Sequence, residues 1–221
     1  GSVEIFEPNL EQLVSKEVKL GNLCASRNIV PADVFIVAVP TPTKGVEHRA
    51  DLSSVEAAFD AISKVIKNGD LIVLESTVPV GTTLKMTQRL SKARPDLRFP
   101  ATRSSEPDVN IAFCPERVLP GKILEELVAN DRTIGGVTPA CGERAASLYK
   151  NFVKGECVLC SSPSVAELAK LTENSFRDVN IAFANELSML AVELGVDVWE
   201  LINIANRHPR VSILSPGTGV G

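Results

Sequence analysis

The stretch Val34-Phe35-Ile36-Val37-Ala38-Val39, followed at once by Pro40-Thr41-Pro42-Thr43, decides the architecture. An unbroken apolar run of this length is short for a helix, and it reads as a strand of the kind that parallel sheets bury on both faces. The two prolines stop it, because proline cannot donate to a sheet ladder.

Working outward, the same rhythm recurs. Ser53, with Glu56 three positions on, reads as a capping box that opens a helix running to about Lys67. Asn68-Gly69-Asp70 makes a turn, Leu71 to Glu75 is the next apolar strand, Ser76 to Gly81 is a turn, and Thr82 to about Lys92 is a helix. Residues 94–108 contain Pro95, Pro100, Pro107, Ser104 and Ser105, which suits a surface excursion. Val109 to Phe113 resumes the sheet. Shorter strands are expected near Thr133-Ile134 and Val158-Leu159, with a helix from about Ala140 to Asn151 between them. Strand and helix in alternation predict an α/β fold, a Rossmann-like doubly wound parallel sheet.

The pattern changes at Pro163. Ser164 and Glu167 read as another capping box, and no strand signal follows. Val165, Leu168, Thr172, Phe176, Val179, Phe183, Leu187, Leu190 and Leu194 step by three or four, which traces one face of a helix about thirty residues long. Its other side is largely uncharged after Val179, so packing against a second copy of the chain is expected. Gly195 ends the helix, and Asp197 with Glu200 caps another through about Asn206.

The composition excludes several classes. With 23 Lys plus Arg against 27 Asp plus Glu in 221 residues and no basic tract, a nucleic-acid or anionic-membrane surface is not expected. No apolar run approaches the roughly 20 residues of a membrane helix, and the amino terminus lacks a basic-then-apolar signal pattern, so the cytosol is the expected compartment. Cys24, Cys114, Cys141, Cys157 and Cys160 are odd in number and read as reduced thiols. Cys157-Val-Leu-Cys160 is a CxxC without a second pair or nearby His, so a buried-thiol reading is preferred to a metal or redox site, and no metal is expected.

Ligands of doubly wound sheets sit beyond the carboxyl ends of the strands. The informative segments are therefore Val39-Pro40-Thr41-Pro42, Glu75-Ser76-Thr77-Val78-Pro79-Val80-Gly81 and Cys114-Pro115-Glu116-Arg117. Any one of them alone reads equally well as a stiff turn. Lys170 and Asn174, four apart on the long helix, point the same way. Arg207, His208 and Arg210 cluster where the second helix ends, a place that favours cations for structural reasons alone.

All three strand ends, together with Lys170-Leu-Thr-Glu-Asn174-Ser-Phe-Arg177 and the residues through Leu187, resemble the UDP-sugar 6-dehydrogenases of the UDP-glucose/GDP-mannose dehydrogenase family. The likeness runs from Glu7-Pro-Asn-Leu10 to Gly217-Thr-Gly-Val-Gly221. Residues 114–121, 130–136 and 206–211 look most like the subgroup acting on UDP-N-acetyl-D-mannosamine, with UDP-N-acetylglucosamine or UDP-glucose as alternative substrates. The resemblance implies oxidation of the C6 hydroxymethyl to a carboxylate by two NAD, through an aldehyde and a cysteine thioester.

It also implies roles. Lys170 and Asn174 stabilise oxyanions, Thr77 orients the hydrolytic water, and Glu116 accepts its proton. Val39, Pro40, Thr41, Ser76, Thr77 and Glu116 fall at cofactor-binding positions. Glu116, Arg117, Val118, Lys170, Asn174, Arg177, Arg207, His208 and Arg210 fall at positions for the UDP-sugar substrate, with Arg210 reaching the substrate of the other subunit of a homodimer built on the long helix. Arg177 has a plainer reading as the partner of Glu173. Some relatives carry a second Glu four residues after Glu116, where this chain has Pro120, so a two-carboxylate mechanism on that loop does not carry across.

By the same resemblance, residues 1–162 are an NAD-binding domain lacking its first strands, and residues 163–221 begin a central helical dimerisation domain. No G-x-G-x-x-G is found, none of the cysteines matches the family nucleophile, and Gly1-Ser2 reads equally as a cloning remnant. Cys114 is taken as a small buried residue closing a strand, and the piece as written is expected not to complete the reaction. A non-catalytic dimerisation module is the alternative from another class.

Overall fold

Residues 7–47, 49–100 and 106–219 are described by a computed structural model, whose first element is helix α1 (Leu10–Lys19). Strand β1 (Val34–Val37) follows, then a short hairpin of β2 (Thr43–Lys44) and β3 (Arg49–Ala50), helix α2 (Ser53–Ser63), strand β4 (Leu71–Leu74) and helix α3 (Thr82–Ala93). Next come β5 (Asn110–Phe113), α4 (Ile123–Ala129), β6 (Arg132–Gly136), α5 (Pro139–Tyr149), β7 (Cys157–Cys160), α6 (Pro163–Leu194) and α7 (Val198–Ala205). The expected excursion over 94–108 falls partly on residues 101–105, outside the described residues, as do Gly1-Ser2 and the last two residues of Gly217-Thr-Gly-Val-Gly221.

The main sheet has the order β1-β4-β5-β6-β7. Its second strand is β4, whose four residues Leu71-Ile72-Val73-Leu74 are all buried. Their alternation divides the interior in two, as a pleated strand requires. Ile72 and Leu74 join Val55, Phe59, Met86, Leu90, Ile111 and Phe113 under α2 and α3. Leu71 and Val73 join Ala112, Cys114, Ile134, Ala145 and Tyr149 under α5. Helices thus cover both faces, and each large side chain so buried contributes about 1.5–3 kcal/mol.

The expected Rossmann-like α/β fold with a mostly parallel sheet is present, and its details differ: β1, β4 and β5 are parallel, as are β6 and β7, but β6 runs antiparallel to β5. The helix between β5 and β6, α4, is only seven residues long and contains no buried residue, so β6 returns alongside β5 without a covered crossover. β1 is an edge strand among the described residues; Phe35 and Val37 are buried but Ile36 is 52% exposed, so only one face is covered. β7 is the other edge. Cys157 and Cys160 are accordingly half-buried, rather than buried, thiols.

Both proposed capping boxes are also replaced. At α2, the Ser53 amide donates to Asp51 Oδ1 (3.0 Å), and Leu52, not Ser53, occupies the cap position. The Lys44 ammonium lies 2.5 Å from Asp51, and its hydrogen bond, followed by those from Ser53, lowers the Asp51 pKa to about 2. The loop between β1 and α2 thus forms a hairpin that leads into Asp51, the acceptor for the first amide of α2. α2 ends at Ser63, about one turn before Lys67, where successive amides bond back to Ala61 and Ile62. At α6, Glu167 does not turn back on Ser164; it serves another helix, as described below.

β6 ends in Gly135-Gly136 because two neighbours press on it. A Cβ on Gly136 would lie 2.2 Å from the Gly142 nitrogen of α5, and one on Gly135 would lie 2.6 Å from the Pro163 Cα at the start of α6. At the other end, Thr138 caps α5 by accepting from the Cys141 amide (3.3 Å).

Two compact units divide the chain within α6: the first ends at Leu168 and the second begins at Ala169. In the second, Ile181, Ala184 and Ala191 of α6 are buried, along with Ile202 of α7. The expected apolar stripe lies elsewhere on the helix, where Phe176, Val179, Phe183 and Leu194 are all more than half exposed. α6 closes as anticipated at Gly195, where φ is +66°. The Val196 amide donates to Ala191 O and that of Gly195 to Val192 O, a Schellman closure. Asp197 caps α7 through the Trp199 amide (2.8 Å).

Candidate active site

The carboxyl ends of β1 and β4 are tied to each other by side chains. The Val39 amide donates to Ser76 Oγ (2.8 Å), and that hydroxyl donates to Val39 O (2.7 Å). Thr41 Oγ1 donates to Thr77 O (2.6 Å). Parallel pairing brings these ends level, since Val37 sits opposite Leu74. The prolines at 40, 42 and 79 stiffen the departing turns. Val39, Pro40, Thr41, Ser76 and Thr77 are thus brought together.

At the end of β5, Pro115 is buried and Glu116, Arg117 and Val118 are half-buried. Both Glu116 carboxylate oxygens accept from the Val118 amide (2.8 Å each), so the side chain folds back over its own turn. Arg117 Nη1 reaches Thr133 Oγ1 (3.3 Å). The Glu116 charge is felt at Glu75, where it helps to hold the carboxyl above its usual range; the larger cause is burial.

A second polar group lies beneath, which sequence reasoning missed. The Tyr149 hydroxyl donates to Glu75 Oε1. The Arg132 guanidinium, on a residue 3% exposed, stands 5.3 Å over the Tyr149 ring. Cys114 is fully buried in contact with this group, and burial pushes its thiol up to about 12. That agrees with reading Cys114 as a packed residue, since a nucleophile needs its thiolate. A Glu and a Tyr at the edges of apolar runs were the available signal.

The turn from β4 into α3 ends at Gly81, whose φ of +91° favours glycine. Its amide donates to Glu167 Oε2 (2.6 Å), while the Thr83 amide (2.8 Å) and hydroxyl (2.7 Å) donate to Oε1. Glu167 is 0% exposed. A helix amino terminus is a natural anion site, and here this carboxylate fills it.

In the second unit, Lys170 and Asn174 are half-buried on α6 and Arg177 is exposed one turn on. Arg207, His208 and Arg210 lie exposed beyond α7, where the Arg210 amide donates to His208 Nδ1 (3.3 Å). The segment they belong to is held by two asparagines. Asn206 exchanges two bonds with the Ile213 backbone (2.9 and 2.7 Å), and Asn185 exchanges two with Gly217 (2.9 Å each).

Comparison with known proteins gives a consistent picture. Residues 1–153 match the UDP-glucose/GDP-mannose dehydrogenase family, NAD binding domain, and residues 164–221 match the central domain of that family. A UDP-N-acetyl-D-mannosamine dehydrogenase of Yersinia pestis is 57% identical over all of this chain and 52% of its own length. An NDP-N-acetyl-D-galactosaminuronic acid dehydrogenase of Ralstonia nicotianae is likewise 57% identical over the whole chain, again 52% of its length. The structure of UDP-D-ManNAc dehydrogenase from Pyrococcus horikoshii superposes with a TM-score of 0.90 at 41% identity, covering 100% of this chain and 51% of that one. The chain spans about half the length of the curated relatives it matches.

Proposed function

Because the chain belongs to the UDP-glucose/GDP-mannose dehydrogenase family, we propose that the protein carrying it oxidises the C6 hydroxymethyl of UDP-N-acetyl-D-mannosamine to the uronate, with NAD as oxidant. The observation that carries this reading is 57% identity along the entire chain to an enzyme bearing that name. Equal identity to a galactosaminuronic acid dehydrogenase supports a second substrate of the same class, another N-acetylated hexosamine nucleotide.

The tied ends of β1 and β4 suit the uncharged part of NAD. Val39, Pro40, Thr41, Ser76 and Thr77 offer apolar surface, hydroxyls and backbone groups without a charged side chain. They do not suit a pyrophosphate, since the nearby α3 terminus is filled by Glu167. When bound there, NAD supplies the acceptor for the hydride leaving C6.

The chain's own residues meet the remaining demands. As the hydroxyl loses its proton, negative charge develops on oxygen, and the Lys170 ammonium and Asn174 amide supply donors for it. Converting an acylated cysteine to the acid needs an oriented water and a base. Thr77 orients the water and Glu116 accepts its proton. Cys114 is not the acylated thiol, because its burial keeps it protonated. Arg117, Val118, Arg177, Arg207 and His208 contact the nucleotide sugar, and Arg210 serves the site of a second subunit. The subunits pair through the exposed stripe of α6 that includes Phe176, Val179 and Phe183. Residues 1–162 act as the NAD-binding domain and residues 163–221 begin the dimerisation domain.

The protein carrying this chain is to be incubated with NAD and, separately, with the UDP-linked N-acetylmannosamine, N-acetylglucosamine, N-acetylgalactosamine and glucose, following NADH. Turnover with the N-acetylmannosamine compound well above the others is expected. Preference for N-acetylgalactosamine establishes the second reading, and no turnover with any nucleotide sugar refutes both.

A further inference from the structure

Glu7 opens the Glu7-Pro-Asn-Leu10 motif, to which the proposed reaction assigns no task, yet the residue is buried. Its carboxylate reaches a distant part of the same compact unit. Oε2 accepts from the Gly121 amide (2.8 Å) and Oε1 from the Leu124 amide (3.4 Å), partners 114 and 117 positions away. Burying an ion is costly unless its bonds are satisfied. Both of these bonds serve the segment they reach.

That segment runs from the end of β5 through Glu116, Arg117 and Val118 into α4, and apolar packing does little to fix it. Leu119 is 42% exposed, and among the described residues α4 has none that is buried and no side-chain bond at its own cap. Carboxylates take up the backbone instead. The Val118 amide donates to Glu116 (2.8 Å to each oxygen), that of Leu119 to Glu126 Oε2 (2.9 Å), and that of Gly121 to Glu7, while Pro120 has no amide to give. Glu116 and Glu126 belong to the segment and move with it. Glu7 precedes α1 and does not. On the other flank Arg117 reaches Thr133 of β6 (3.3 Å), so the stretch bearing Glu116 is suspended between β6 and Glu7.

We propose that Glu7 is a positioning residue for the hydrolytic half of the oxidation proposed above: its carboxylate pins the Gly121 end of this stretch and so sets where Glu116 stands. The role rests on that functional reading. Glu7 touches neither nucleotide sugar nor cofactor in this scheme and acts through Glu116. The step in which hydride first leaves C6 does not use the Glu116 carboxylate, so loss of Glu7 falls on hydrolysis.

The test uses the protein that carries this chain, with Glu7→Gln, Glu7→Asp and Glu116→Gln. Glutamine presents one oxygen and one NH2 group, so it cannot accept from both amides as the carboxylate does. Amide hydrogen exchange at Gly121 or Leu124 is expected to accelerate in Glu7→Gln. At saturating nucleotide sugar, rapid kinetics should find the first hydride transfer within about twofold of wild type while steady-state turnover falls about 10- to 100-fold, so that a burst of NADH appears. Glu7→Gln added to Glu116→Gln should slow turnover no further, since both act through one base. Unaltered turnover in Glu7→Gln overturns the proposal, whether or not exchange quickens. An equal loss in first hydride transfer and in turnover overturns it too, as does an additive loss in the double variant. If Glu7→Gln loses cooperative unfolding, Glu7→Asp, which keeps the charge and withdraws the oxygens by one methylene, decides by the same criteria. A wild-type protein inactive with every nucleotide sugar refutes the functional reading and this role with it, whereas an active wild type with an unaffected variant refutes this role only.

Discussion

Tyr149 and Glu75 are joined by a hydrogen bond, the phenol of α5 donating to a carboxylate that stands at the end of β4 and is largely withdrawn from water. Tyr149→Phe removes the donor and leaves the carboxylate buried. The loss expected is about 1–3 kcal/mol, because an unsatisfied buried polar group bears its desolvation cost. Urea unfolding at neutral pH measures it, and a loss below a few tenths of a kcal/mol would contradict the arrangement.

The same carboxylate makes stability depend on pH. Burial raises the Glu75 pKa in the folded protein, with Tyr149 and Arg132 opposing and Glu116 reinforcing the shift. Between the unfolded and the folded value the native state holds the extra proton, so its stability declines as pH rises through that window. Glu75→Gln should abolish this slope. Asp51 contributes with the opposite sign: its pKa is lowered to about 2, so its contribution is complete above the ordinary Asp range and is lost as pH falls toward 2. Lys44→Met should diminish that acid-side contribution, leaving the part due to Ser53, as read from unfolding curves between about pH 5 and 2, a range chosen about the ordinary Asp value.

Gly136→Ala should destabilise by about 1–3 kcal/mol, since the new Cβ would meet backbone atoms of Thr138 and Gly142. Gly142→Ala is the control: its Cβ would make ordinary contact, 3.5 Å from a Leu159 methyl, and α-helical propensity favours alanine. Thermal unfolding of both variants should place Gly136→Ala well below wild type and Gly142→Ala close to it.

In the oxidation proposed here, Glu116→Gln should separate the two halves of the reaction. With no base for hydrolysis, rapid kinetics should show NADH released in a stoichiometric burst, followed by turnover reduced about 10²- to 10⁴-fold. Lys170→Ala should suppress the burst itself by about 10²- to 10³-fold, as expected for loss of an oxyanion donor.

Phe176→Glu combined with Val179→Glu places charge on the exposed stripe of α6. If two copies pair there, sedimentation should show the dimer giving way to monomer without loss of helicity. An unchanged sedimentation coefficient would remove the stripe from the interface.

The α/β rhythm was legible because Leu71 to Leu74 is apolar at every position, which only a strand covered on both faces demands. The direction of β6 was not, because Arg132 to Gly136 reads the same whichever way it runs; the brevity of α4 decides it. The ends of β1 and β4 could be found from their prolines and hydroxyls. Glu167 could not: its spacing from Ser164 imitates a local cap, and only the fold reveals a partner 86 residues away. Nor did periodicity reveal which side of α6 is buried, since Ile181, Ala184 and Ala191 line the interior while Phe176, Val179 and Phe183 face outward.

Among the described residues, the segment after α7 has no repeating ladder of backbone bonds. Asn206 and Asn185 each stand in for a neighbouring strand, offering one donor and one acceptor to the main chain. The shape of the arginine-bearing stretch is therefore written in two side-chain amides. A single aspartate at either position would leave two acceptors facing an amide and a carbonyl, and would loosen that stretch while leaving the helices on either side intact.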